Sequence, residues 1–303
     1  MRKLHRLILL LIFVPAAVHA AVQEEEPAAG DYPNIVEADS VLAGLKEPLG
    51  ISAGARGGIY VADGMSGKLF KYMAGREVLE FPVPRSLVSI YPVDVAAGAD
   101  PFIYVLDYSS GNVLRYDYRG GYLDVLISFD DFKPSSISAG AGGSFILTDM
   151  ENHSVLVLNP LLDREVEIEG YGWEAGFFNK PAKAVILRDG RLAVADTGNR
   201  RVQIFSSSGL YLRQLSPPDS LGFKSPRSLC CGPEGNIFVA DTGRGSVFAY
   251  SPGGEYITAI DSYSGKKISP SALTVDLNDN LFVADLLSRS ILIYRLVYPD
   301  NER

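Results

Sequence analysis

The sequence predicts an all-β fold: a six-bladed β-propeller of four-stranded antiparallel blades. Three observations predict it. A unit recurs six times at a mean period of about 44 residues, turn residues punctuate each unit about every ten positions, and the last unit is too short for a fourth strand of its own. The repeat places a proline fifteen residues before an aspartate: Pro48 and Asp63, Pro92 and Asp107, Pro134 and Asp149, Pro181 and Asp196, Pro226 and Asp241, Pro270 and Asp285. Six residues past each aspartate stands an aliphatic (Leu69, Val113, Val155, Val202, Val247, Ile291). Nine past it stands Tyr72, Tyr116, Leu158, Phe205, Tyr250 or Tyr294.

The fourth unit shows how each blade is built. Ala182–Leu187 alternates as a strand, Arg188-Asp189-Gly190 turns, and Arg191–Ala195 returns. Asp196–Asn199 makes the next turn, Arg201–Ser206 a third strand, Ser207-Ser208-Gly209 a turn, and Tyr211–Leu215 a fourth strand. On this template the blades fall near 48–83, 92–129, 134–170, 181–216, 226–261 and 270–298 of one domain spanning 33–303. Helical repeats of similar length do not carry a turn signal every ten residues. Only nine residues follow Tyr294, so the sixth blade lacks an outer strand. Ile35–Leu42 is the free segment that reads as one, and it is expected to pair with Ile291–Val297, closing the ring and covering an open edge.

Residues 1–20 have the layout of a signal peptide: basic Arg2, Lys3 and Arg6, the apolar run Leu7–Val14, Pro15, then Val18-His19-Ala20 with small residues placed for a cut after Ala20. The apolar run is short for a membrane span, and no transmembrane segment is expected. Residues 21–32 read as an exposed leader. The protein is therefore expected to be exported: periplasmic, in the cell envelope, or secreted.

Composition narrows the function. With 47% hydrophobic and 21% charged residues, disorder is excluded. Acidic residues outnumber basic ones 36 to 28, a net charge of −8, and loss of the three basic residues of the signal would leave 25 against 36. Such a surface repels phosphate backbones, so nucleic acid is not expected as a partner.

The stretch Gly176-Phe-Phe-Asn-Lys-Pro181, followed by Asp189-Gly190 and Leu192-Ala-Val-Ala-Asp-Thr-Gly-Asn-Arg-Arg-Val-Gln-Ile-Phe205, resembles the NHL repeat. Unit five, with Phe223-Lys-Ser-Pro226 and Ile237-Phe-Val-Ala-Asp-Thr-Gly243, resembles it too; units one and six match in part, and units two and three are degenerate. The resemblance covers about residues 33–303 and implies the propeller fold. Its functional implication is broad, since NHL-type propellers include RNA binders, peptide- or protein-binding modules and a zinc- and calcium-dependent lyase.

The turns carry the polar residues of the repeat. Asp63, Asp107, Asp149, Asp196, Asp241 and Asp285 each end a second strand, where a carboxylate accepts N–H bonds from the following turn; six copies of one residue read as six structural turn holders. Arg200, Arg201, Arg244, Arg289 and Lys68 are expected to pair with these aspartates or cover neighbouring turns. The turns share a rim with the loops before the prolines, and the ligand candidates there are Tyr108, Asn112, Asn152, His153, Asn199, Arg200, Arg244, Arg289 and Trp173, with Tyr91, Tyr171, Phe177 and Phe178 in the longer loops. Phe178 reads as packing, because Phe223 occupies its place in the next unit.

His153 is the one histidine outside the signal, too few for a zinc lyase site, and it reads as a solvated turn residue. Calcium needs only oxygen ligands, and six-bladed calcium hydrolases gather acids on their inner strands. The residues two past each proline are Gly50, Asp94, Ser136, Lys183, Ser228 and Ala272, one acid against one lysine and a poor cage. Cys230 and Cys231 are adjacent in an inner strand; Cα atoms about 3.8 Å apart fall below the roughly 4.4–6.8 Å of a disulfide, so two buried free thiols are expected. No catalytic set assembles. The expected function is a non-catalytic binding or scaffold module for a protein or peptide partner, monomeric and without a cofactor. A calcium-assisted hydrolase or lyase and a carbohydrate-binding envelope component stay open as alternatives.

Overall fold

The computed structural model describes residues 32–298, apart from 43, 74–77, 85, 86, 88, 99 and 219–221. The expected signal segment 1–20 and residues 21–31 of the leader lie outside the described residues. Six four-stranded antiparallel sheets form the blades, their inner strands being Pro48–Ala53, Pro92–Ala97, Ser136–Ala139, Pro181–Ile186, Pro226–Cys231 and Pro270–Val275. A two-stranded hairpin, Ser262–Tyr263 with Lys266–Lys267, is added between blades five and six. The sequence shows no repeat counterpart of this hairpin.

The ring closes as expected. Asn34–Leu42 is the outer strand of the last sheet, antiparallel to Ser290–Val297, with Asn34 opposite Val297 and Leu42 opposite Ile291 across an irregularity between Glu37 and Val41. The hairpin braces it: the Tyr263 hydroxyl donates to the Ala38 carbonyl, and the Ser264 N–H to the Glu37 carboxylate at 2.8 Å.

Why the repeat spacing works is visible in the core. Every aliphatic six past an aspartate, and every residue nine past, is buried. All six second strands are buried, or nearly so, along their whole length, because each face of a blade meets a neighbouring blade. The apolar side chains form six clusters, one at each blade interface; Ile51, Val61, Phe282 and Ile291, for example, join the last blade to the first. Burying both faces explains why these strands read as continuous apolar runs.

Around the channel the inner strands are not laddered to one another. Side chains tie them instead: Thr274 Oγ1 accepts from Ala53 N–H (3.0 Å), Ser52 Oγ from Ala97 N–H (3.0 Å), Asp94 Oδ2 from Ile137 N–H (2.9 Å) and Ser228 Oγ from Leu273 N–H (3.3 Å). In five blades a register shift follows the proline, between Pro181 and Lys183 for instance. Such a bulge re-aims the next side chain, and that side chain belongs to the ring Gly50, Asp94, Lys183, Ser228 and Ala272 that surrounds the channel.

Candidate functional site

The repeat aspartates are buried to 1% exposure or less, and each fastens two segments rather than one. Asp63 accepts from Lys46 and Glu47 N–H ahead of its proline and from Ser66 N–H in its own turn. Asp241 does the same with Lys224, Ser225 and Arg244, and Asp149 with Lys133, Glu151 and Asn152. Asp107 holds Tyr91 and Ser109, and Asp285 holds Ser269 and Ser288. Asp196 binds Asn179 N–H and the side chains of Asn199, Arg201 and Gln203. A carboxylate that accepts this many donors is the anchor that sets rim height in every blade.

The turn after each aspartate ends four residues on in a left-handed residue: Gly67, Gly111, His153, Arg200, Gly245 and Arg289, all with φ between 53° and 70°. Half are glycine, which adopts this conformation freely; the other three put a long polar side chain there. This aspartate-to-glycine spacing is a signal that the sequence carries and that sequence reasoning missed.

His153 is half-buried, and its ring has partners. Its Nδ1 accepts the Lys180 N–H at 3.0 Å and its ring packs on Tyr171 with centroids 4.9 Å apart. That bond leaves the neutral imidazole with its proton on Nε2, as assigned from the partner. Of the other rim candidates, Asn112 accepts the Ser128 hydroxyl, Asn152 donates to Asp149, Asn199 to Gly172 O, and Arg244 to Gly222 O while lying over Phe248. Arg200 and Arg289 are exposed, with no ion pair among the described residues. Lys68 pairs with Glu80 rather than with an aspartate of the repeat, because its strand position faces the outer strand.

Trp173, 75% exposed, and Tyr171, 65% exposed, stand on the loop between blades three and four. Third-strand residues of blade four hold that loop: Arg201 donates to the carbonyls of Trp173 (2.7 Å), Glu174 (2.8 Å) and Phe177 (2.8 Å), while Gln203 bonds Phe177 O and Gly176 N–H. Phe178 is fully buried at the blade interface, as Phe223 is one blade later.

At the channel mouth lies a cavity of about 470 Å³, and a smaller one of about 170 Å³ occupies the channel below. Tyr108, His153, Met150, Glu151, Lys180 and Arg227 line the mouth together with the first residues of the inner strands. Lys183 lines both cavities. Its ammonium lies 2.5 Å from Asp94 Oδ2 and donates to Ile137 O at 2.8 Å, bridging blade four to blades two and three. Gly50 makes room for Asp94: a Cβ there would come within 2.5 Å of the Asp94 Cα. The sequence placed Asp94 and Lys183 in one ring but not in contact.

That ring does not fit calcium. Its one carboxylate oxygen free of the backbone of its own strand already accepts from an ammonium and an N–H, and the ammonium would repel a second cation. Among the described residues no three His, Cys, Asp or Glu side chains converge as a metal site.

Cys230 and Cys231 are free thiols. Cys230 is buried, and burial pushes its thiol well above the usual range. Cys231 is half-buried rather than buried, and its thiol is raised for the same reason.

Among the described residues no helix is long and apolar enough to cross a membrane. The family description NHL repeat matches residues 178–205, within blade four and its leading loop. No curated protein matches the chain. Solved structures share the fold: a gluconolactonase from Xanthomonas campestris (15% identity over 89% of this chain and 96% of that one, TM-score 0.66), a virginiamycin B lyase from Staphylococcus aureus (14%, 83% and 81%, 0.59) and the WD40 β-propeller domain of Doa1 (10%, 86% and 97%, 0.58). At these identities the likeness is one of fold. With the repeat in blade four, the aspartate anchors in all six and the closing N-terminal strand, the chain is a six-bladed β-propeller carrying an NHL repeat.

Proposed function

We propose that this propeller is an exported binding module that takes a protein or peptide partner at its channel mouth. The observation that supports it is the mouth cavity, whose wall mixes Leu49, Val93 and Met150 with polar side chains and whose Asp94 and Lys183 are already joined to each other. A segment of peptide suits a cavity of this size and mixed polarity. The neighbours named for lactonase and lyase activity show that propellers of this shape can host enzymes. The ring residues of this chain are engaged with each other.

A photo-crosslinking residue at position 150, in the protein expressed in its own cells, tests this. Protein adducts from position 150, and none from position 161 on the opposite face, are expected. Equal labelling at both positions would overturn the reading, as would a hydrolase or lyase activity abolished by Asp94→Asn. Export is tested by the mature mass: an N-terminus at Ala21 in an envelope or secreted fraction is expected, and intact Met1 in the cytoplasm would refute it. The carbohydrate reading draws on the braced, exposed Trp173. Glycan-array binding lost in Trp173→Ala would favour it over a peptide.

A further inference from the structure

The charges around the mouth do not cancel, and their imbalance specifies the ligand. Five formally charged residues line the cavity: Asp94, Glu151, Lys180, Lys183 and Arg227. Asp94 is compensated by Lys183 at 2.5 Å, and Glu151 by Lys133, from outside the cavity, at 2.8 Å. Lys180 and Arg227 have no ion pair among the described residues. They come from the leading loop of blade four and the inner strand of blade five, so adjacent blades contribute one cation each. The rim acid Glu47 is not among the lining residues; its carboxylate accepts the Tyr91 hydroxyl at 3.0 Å, on which Arg227 also acts, so Arg227 is partly compensated and Lys180 is the freer cation.

The donor inventory agrees. The His153 ring, pinned through Nδ1, keeps an Nε2–H donor on the cavity wall. Tyr108, 52% exposed, adds a hydroxyl to the same wall. Lys183 spends two of its three donors on Asp94 and Ile137. Cations and N–H or O–H donors therefore converge on a pocket set in a chain whose net charge is −8. Such a local reversal of sign attracts a small anionic group while the rest of the surface turns polyanions away.

We infer that the mouth recognises carboxylates, so that the partner proposed above presents an acidic peptide segment, held by Lys180 and Arg227. This rests on the binding-module reading and is narrower than it. Arginine supplies the forked donor geometry that a carboxylate takes, and lysine the second point charge.

Selection from a random 12-mer peptide display library against the immobilised mature protein separates the two claims. Peptides enriched in Asp and Glu are expected from the unaltered protein, with binding that weakens as salt is raised. The exposed-site double variant Lys180→Glu/Arg227→Glu is expected to lose that enrichment and to bind a chosen acidic peptide at least tenfold more weakly, with an unchanged melting temperature. Enrichment of peptides lacking acids, or of acidic peptides equally by the double variant, would overturn the carboxylate inference and leave the binding module standing. Failure to enrich any peptide, or tighter binding of an acidic oligosaccharide than of the peptides, would overturn both.

Discussion

Lys183 reaches past blade three to bond Asp94 in blade two, 89 residues earlier in the chain, at 2.5 Å. Both side chains are at most 11% exposed. Removing one partner strands a nearly buried charge, and losses of about 3–5 kcal/mol are typical of such breaks. Asp94→Ala is expected to cost that much. The combined Asp94→Ala/Lys183→Met variant is expected to recover most of it, because no unpaired charge is left. Urea unfolding of the two single variants and the double closes the cycle; additive losses would show that the pair is not coupled.

The closing strand predicts a large effect for a short deletion. A chain starting at Gly44 exposes the ladder groups of Ser290–Val297 and uncovers one face of the last interface cluster. Its melting temperature is expected to fall on the order of 10 °C, followed by circular dichroism. An unchanged midpoint would mean that blade six stands without its fourth strand.

Arg289 occupies the left-handed turn position that glycine fills in three other blades. Arg289→Gly removes a Cβ clash worth about 1–2 kcal/mol and gives back part of it as added freedom in the unfolded chain. A net gain of roughly 0.5 kcal/mol is expected as a higher urea midpoint. A lower midpoint would show that the side chain makes a compensating contact.

Arg201 joins Asp196 to three carbonyls of the Trp173 loop. Lysine cannot reproduce that fork. Arg201→Lys is expected to cost roughly 2–3 kcal/mol and to open the 170–180 loop to limited proteolysis. Protease resistance equal to that of the unaltered protein would contradict the bracing role.

Alkali should unfold the ring through its phenols. Burial pushes Tyr72 and Tyr298 up to about 12, and raises Tyr104, Tyr116 and Tyr294 as well. The folded state therefore holds the proton more tightly than the unfolded chain, whose tyrosines titrate near 10. This stabilising contribution is complete below pH 10 and is lost as pH rises from 10 towards 12. Melting temperature against pH, with tyrosinate absorbance in parallel, should show both changes together. Ionisation of all tyrosines near pH 10 with no loss of structure would sink the prediction.

The fold was legible because it is periodic: the proline, the aspartate and the residues six and nine past it each perform one packing task six times over. The closing strand was legible by subtraction, since the sixth unit ran out of residues after Tyr294. The site was legible only in parts. Tyr108 and His153 came from turns the repeat defines, but Lys180, Arg227 and Met150 flank repeat residues and carry no mark of their own. Asp94 and Lys183 shared a ring position in the sequence, yet their contact depends on the bulge after the proline and on ring curvature. His153 looked like a free turn residue because its partner, the Lys180 N–H, belongs to a loop 27 residues away. The hairpin at 262–267 breaks the repeat and had no counterpart to be read against.

The pairing of Asn34–Leu42 with Ser290–Val297 also orders events in time. The first described strand of the ring waits for the last, so the ring cannot be finished until Ser290–Val297 has been made. Five blades can assemble as local meanders while the sixth remains unsealed, and bringing together segments some 250 residues apart is costly in chain entropy.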